Sequence, residues 1–269
     1  MGTPSTPGGF PRAPVPVPEP LLRVLAERLG QDLGQQPGGA PAPAEAVGAP
    51  QAVWVNQAGG STFRVPVPGG ALFAKWAPAG APLDLAAEEA RLRWARAWTP
   101  VPQVLAAGRE AGGSWLLTRG LPGENAVLAR WRARPHVAVP ALARGLRRLH
   151  EALPVAGCPF SWSVQQRLAA AVGDVGDLRR PPPVDRLVVC HGDACSPNTL
   201  LDPGTGEACG HVDLSALGVA DRWADLAVAT MSVGWNYGPG WEGAFLDAYG
   251  VAPDAVRTAY YRDLWNAGP

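Results

Sequence analysis

A short apolar run, Val188-Val189-Cys190, passes without a linker into His191-Gly192-Asp193, and no other feature constrains the chain as tightly. A β-branched run this short reads as a buried strand, and the glycine that follows marks a sharp turn at its end. A carboxylate is thereby set at a strand mouth, where backbone rigidity fixes its direction. Asn198 stands five residues beyond Asp193, and a second short apolar stretch over 210–214 carries Asp213. Predicted helices lie on both sides of this pair of strands.

The pattern upstream is different. Residues 1–50 are rich in Pro and Gly. Residues 1–20 are expected to form a tail without fixed structure, and 35–50 a linker. Between them Leu21, Leu22, Leu25 and Leu29 recur at helical spacing and predict one short amphipathic helix over 20–34. Over 51–122, alternating stretches at 52–56, 62–67 and 71–76 predict three strands, followed by a helix over 85–98 and two more strands at 104–108 and 114–118. Arg119-Gly120-Leu121-Pro122-Gly123 is a turn-rich break, read as a hinge. Over 123–269 the periodicity is mainly helical, at 137–151, 163–172, 223–232, 241–249 and 253–265. The expected fold is α+β with two lobes, a small antiparallel-sheet lobe followed by a mainly helical one. A chain of 269 residues is long enough for both.

The residue types at the strand ends suit phosphoryl transfer. That chemistry needs a carboxylate to orient and deprotonate the acceptor hydroxyl, and oxygen ligands that hold Mg²⁺ against the phosphates. Asp193 fits the first role; Asn198 and Asp213 fit the second. A basic group for the nucleotide phosphates is also required. Of 23 basic residues 22 are Arg, and the one Lys is Lys75, on the apolar third strand. A chain so committed to Arg that keeps one Lys there points to a need for a compact ammonium. Glu88 or Glu89 on the following helix is available to pair with it. Gly60 and Ser61, in the turn between the first two strands, offer backbone N–H groups to phosphates or make a plain hairpin turn. The pairs His191/Asp193 and His211/Asp213 admit a metal-dependent hydrolase as a competing reading.

These stretches resemble the aminoglycoside phosphotransferase family, which shares the protein-kinase fold. The likeness runs from about Trp54 to Trp265 and is carried by Phe73-Ala74-Lys75, Glu88 to Leu92, Val188 to Asp193, Asn198, Leu200 to Pro203, Val212-Asp213-Leu214 and Leu217 to Leu226. It implies ATP as donor, Lys75 on its phosphates with Glu88 as ion-pair partner, Asp193 as base, and Asn198 and Asp213 on Mg²⁺. Asp225 would brace the catalytic loop, and Arg222 would be a structural or substrate-side cation. Thr118 to Leu121 would contact adenine. The substrate implied is a cationic antibiotic, phosphorylated at a 3′ or 3″ hydroxyl. Many 3′-enzymes end in acids that grip the drug's ammonium groups, whereas this chain places Trp265 and Asn266 there, which keeps a streptomycin-type acceptor open. A kinase of another small cationic or sugar metabolite is the alternative.

Bulk properties agree. Net charge is zero, so nothing in it favours nucleic acid or an anionic membrane. From Leu187 to the end three Arg face ten acids, a local net of −7 that suits a cationic ligand. Four unpaired-looking cysteines and the lack of a long apolar run predict a cytoplasmic protein, acting as a monomer or weak dimer.

Overall fold

The computed structural model describes residues 9–11, 13–32, 47–56, 58–171 and 175–268. Residues 1–8, most of the expected linker and Val172 lie outside the described residues. The chain forms two compact units. One comprises Met1–Arg93 and Pro102–Gly120, the other Trp94–Val101 and Leu121–Pro269.

In the first unit α1 (Glu19–Asp32) precedes β1 (Gln51–Val55), β2 (Ser61–Val67), β3 (Gly70–Pro78), α2 (Leu85–Ala95), β4 (Gln103–Glu110) and β5 (Gly113–Arg119). The strands make one antiparallel sheet in the order β1-β2-β3-β5-β4. Period-two alternation sorts the faces. Phe63, Val65, Leu72, Ala74, Trp76, Trp115 and Leu117 point into a core that α1 closes with Leu21, Val24 and Leu25. Burying those three helix side chains contributes on the order of 5–9 kcal/mol before ordering costs. Lys75, between Ala74 and Trp76, is thereby sent to the opposite face.

The segment before α1 departs from the expected tail. Gly9 exchanges two backbone hydrogen bonds with Val55, both 3.1 Å, and Phe10 meets Trp54 edge-on at 5.6 Å. Val15 and Val17 pack against the core. β1 is an edge strand with unpaired backbone groups, and the segment covers them. Composition hid this because three apolar residues are scattered among prolines.

The second unit contains β6 (Glu124–Asn125), α3 (Ala129–Arg132), α4 (Pro135–Ala152), α5 (Val164–Ala170), β7 (Leu187–Cys190), β8 (Thr199–Leu201), β9 (Ala208–His211), β10 (Gly218–Asp221), α6 (Trp223–Tyr237), α7 (Glu242–Tyr249) and α8 (Ala255–Asn266). β7 pairs antiparallel with β10, and β6, β8 and β9 form a separate small sheet. α4 packs on α7 and α6 on α8. β6, β8 and β10 went unread in the sequence because two to four residues carry no measurable period. The strand expected over 210–214 ends at His211, so Asp213 sits in the turn that follows. Among the described residues no helix is long and apolar enough to cross a membrane.

Candidate active site

In the first unit the Lys75 ammonium meets both oxygens of Glu88, at 2.6 and 2.8 Å. Asp84 caps α2 by accepting from the Ala87 N–H at 2.9 Å. Along α2 the residues Leu85, Glu88 and Leu92 share one buried face. Glu89 lies one step around the helix and pairs with Arg93 at the surface. Glu88 and Glu89 stand at equal helical spacing from Leu85 and Leu92, so packing and not periodicity chooses between them. Gly60 is held by Asn56, whose Oδ1 accepts from its N–H at 2.8 Å, and Ser61 opens β2 opposite Trp76. Thr118 is buried on β5, its hydroxyl donating to the Phe73 carbonyl at 3.4 Å.

The second unit assembles the acid end. β7 is buried up to Cys190, and the chain then turns at Gly192, whose φ is +83°. A side chain there would place Cβ 2.2 Å from the Ala216 carbonyl oxygen, so only glycine lets the backbone pass. Asp193 follows. Its N–H donates to His191 Nδ1 at 3.3 Å, while His191 Nε2 donates to the Val212 carbonyl at 3.0 Å. Asn198 donates through Nδ2 to the Asp193 carbonyl at 2.9 Å and to its carboxylate at 3.0 Å. The Cys195 thiol lies beside that carboxylate as a weak donor, and the buried Oδ1 has no hydrogen-bond partner of ordinary geometry. Burial raises the Asp193 pKa and the charge of Asp213 adds to this; the Cys195 contact, His191 and Asn198 pull it back.

Asn198 and Asp213 are brought together by one hairpin. Thr199 of β8 faces His211 of β9, and beyond that pair the Val212 N–H donates to the Asn198 carbonyl at 2.9 Å. Asp213 comes next with φ +64°, the one left-handed non-glycine among the described residues. Such strain persists where the surroundings over-determine a functional side chain. Both N–H groups of Asn198 go to Asp193, so its amide oxygen is the atom offered outward. An amide oxygen and a carboxylate are hard ligands that fit Mg²⁺.

Asp225, at the start of α6, is fully buried. Its Oδ2 accepts from the His191 N–H at 2.6 Å and its Oδ1 from the Gly192 N–H at 2.9 Å. His150 on α4 donates Nε2 to Oδ2 at 2.9 Å and meets the Tyr249 hydroxyl at 2.7 Å through Nδ1. Burial by itself would raise the Asp225 pKa, but the His150 hydrogen bond and charge, with His191 and the Gly192 N–H, outweigh it and hold the carboxyl below its usual range. His150, Cys190 and Asp225 form a three-donor cluster. It does not suit a metal, because both Asp225 oxygens are taken and Cys190 donates to the Asp221 carbonyl.

The histidine pairs do not suit a hydrolase centre. His211 is buried, accepts from Thr199 and donates to the Gly145 carbonyl, and desolvation lowers its pKa to about 3. Arg222 reaches Asp185 at 2.6 Å, and the Trp223 indole donates to the same oxygen. Trp265 lies against Trp235, ring centroids 6.1 Å apart, and Trp235 is half exposed. Leu121 follows β5 in the second unit and lies against Gly210. Sequence reasoning set His150 aside as structural and overlooked Cys195 and Arg167. The last stacks its guanidinium on Trp162 at 5.0 Å. A lone Arg or His on a helix carries no spacing signal.

Residues 55–261 match the model of the phosphotransferase enzyme family. An aminoglycoside 3′-phosphotransferase of Streptomyces fradiae is 35% identical over 253 aligned residues, spanning 78% of this chain and 92% of that protein. The streptomycin 3″-kinase of Streptomyces griseus is 34% identical over 253, spanning 79% and 90%. Among solved structures, the aminoglycoside phosphotransferase APH(3″)-Id of Streptomyces rimosus aligns with TM-score 0.67 at 29% identity, over 92% of this chain and 97% of that one. The same enzyme in complex with ADP and streptomycin aligns with TM-score 0.63.

Proposed function

This chain belongs to the phosphotransferase enzyme family of the aminoglycoside kinases, and we propose that it transfers the γ-phosphoryl group of ATP to a 3′ or 3″ hydroxyl of an aminoglycoside, conferring resistance. The observation that carries this is the hairpin that delivers Asn198 and the strained Asp213 beside the pinned Asp193. Asp193 accepts the hydroxyl proton as the acceptor oxygen attacks phosphorus, its burial favouring proton uptake. Asn198 and Asp213 would hold Mg²⁺, which when bound neutralises phosphate charge. Lys75, fixed by Glu88, supplies an ammonium to the nucleotide phosphates. Asp225 holds the turn that aims the base. Most of the acceleration comes from this positioning and preorganised charge.

Streptomycin and ADP bound together in the relative from S. rimosus favour ATP and a 3″ acceptor. The Trp235–Trp265 pair offers aromatic faces to ammonium-bearing sugar rings. The enzyme would work as a monomer or weak dimer in the cytoplasm, apart from nucleic acid and membrane. A coupled ADP-release assay over streptomycin, kanamycin, neomycin, hygromycin, choline and simple sugars tests this. Turnover on choline or a sugar alone would overturn the substrate reading; none on any acceptor would overturn the activity.

A further inference from the structure

We infer that Ser232 is a positioning residue, whose hydroxyl fixes the short turn carrying Asn198 and so sets that metal ligand against Asp193. This rests on the phosphotransferase reading above.

The turn spans Ser196–Asn198, a single 3₁₀ step entered from Cys195. Each of its backbone groups has a destination. Asn198 donates its N–H to the Cys195 carbonyl at 2.9 Å, and Pro197 has no N–H. The Ser196 carbonyl accepts from the Thr199 N–H. Asn125 Nδ2 donates to the Pro197 carbonyl at 2.8 Å, and the Val212 N–H donates to the Asn198 carbonyl at 2.9 Å. One donor is left for an outside anchor, the Ser196 N–H, and Ser232 Oγ accepts it at 2.9 Å. Both serines are buried.

The Ser232 hydroxyl is fully used. It also accepts from Asn236 Nδ2 at 3.2 Å and donates to Ser196 Oγ at 3.2 Å. One proton and two lone pairs are all that a hydroxyl has. Asn236 is held in turn, because its Nδ2 donates to the Ser232 carbonyl at 2.8 Å. Thr230, two residues earlier on α6, behaves differently. Its hydroxyl bonds back to the Leu226 and Ala227 carbonyls at 2.8 and 3.1 Å, as hydroxyls inside helices often do. Ser232 turns its proton to the loop instead. Alanine at 232 would suit the helix better and leave no polar atom to bury, so the hydroxyl serves the loop and not the helix.

Placement along α6 shows what the grip does. Asp225 and Ser232 stand seven residues apart, two turns along one face of α6. Asp225 takes the N–H groups of His191 and Gly192 before the base, and Ser232 takes that of Ser196 after it. Asp193 lies between the two grips. Asn198, two residues past the second, meets the Asp193 carboxylate at 3.0 Å. A turn of three residues has no slack, so a tilt at the Ser196 N–H passes directly to the Asn198 side chain. Metal ligands depend on such outer partners for their aim.

The test uses the full chain. Mn²⁺ titrated into its complex with ADP, followed by electron paramagnetic resonance, reads metal binding without turnover. Ser232→Ala is expected to weaken Mn²⁺ binding about tenfold and to lower kcat with MgATP by a similar factor, leaving KM for the acceptor unchanged. Thr230→Val removes an equally buried hydroxyl from the same helix, and it should lower Tm without altering Mn²⁺ affinity. An Mn²⁺ affinity in Ser232→Ala within about threefold of wild type overturns the inference, whatever kcat does. Equal weakening in both variants also overturns it, because loss of helix packing would then account for the effect. If Ser232→Ala does not fold, Ser232→Cys carries the same comparison, since a thiol accepts only weakly. Normal wild-type turnover beside an unaltered variant sinks this inference alone. A wild type that neither binds ADP nor turns over sinks the functional reading and this inference with it.

Discussion

Replacing Asp225 by Asn removes one negative charge and one acceptor from a fully buried site. Three donors converge on the carboxylate: the N–H groups of His191 and Gly192 at 2.6 and 2.9 Å, and His150 Nε2 at 2.9 Å. The amide oxygen can serve one side, but its NH₂ then faces a buried N–H across the other. Hydrogen bonds to a charged group contribute about 1.5–3 kcal/mol each, and removing one partner of a buried ion pair costs about 3–5 kcal/mol. We therefore expect a loss of about 4 kcal/mol. For a chain of this size that lowers Tm by roughly 8–15 °C. The freed turn carries the base with it, and displacement by about 1 Å lowers kcat about 10²-fold. Differential scanning fluorimetry and ADP release on the purified variant measure both. A Tm within about 3 °C of wild type together with near-normal kcat would refute the bracing role and leave Asp225 an ordinary core acid.

Other perturbations separate the parts of the site. The folded-state pKa of Asp225 lies below its unfolded value, so its stabilisation is present above the unfolded pKa and is lost as pH falls through the folded one. Urea midpoints followed from neutral pH down into the carboxylate range should fall less steeply for Asp225→Asn than for wild type; parallel curves would contradict this. Asp193→Asn should lower kcat at least about 10³-fold and leave ADP affinity unchanged, by calorimetry. Retained turnover would move the base elsewhere. Lys75→Met leaves Glu88 buried without its cation, so both Tm and kcat should drop; a normal rate would make the lysine incidental. Trp265→Ala should raise KM for the aminoglycoside about tenfold at constant kcat, and an unchanged KM would remove the indole from recognition.

Much of the reacting set was legible in the chain because its chemistry is local. A strand needs only a few β-branched residues, and a turn needs its glycine, so Val188 to Asp193 declares a carboxylate at a strand mouth. The single Lys among 22 Arg declares itself by contrast. The choice between Glu88 and Glu89 was not legible, because both stand at equal helical spacing from Leu85 and Leu92. The long helices were placed within a few residues, because helical period is a property of sequence. What the chain could not declare depends on partners distant in sequence. Gly9 is ordered by Val55, far along the chain, and nothing in a proline-rich segment announces an edge strand to cover. The left-handed Asp213 follows from the β8–β9 hairpin, whose strands are too short to show a period. His150 meets Asp225 across 75 residues. Sequence by itself determined which reactive groups exist and which local elements carry them, since periodicity and turn chemistry act over a few bonds. Only tertiary packing decided which buried groups brace the base, because those hydrogen bonds and charges act through space.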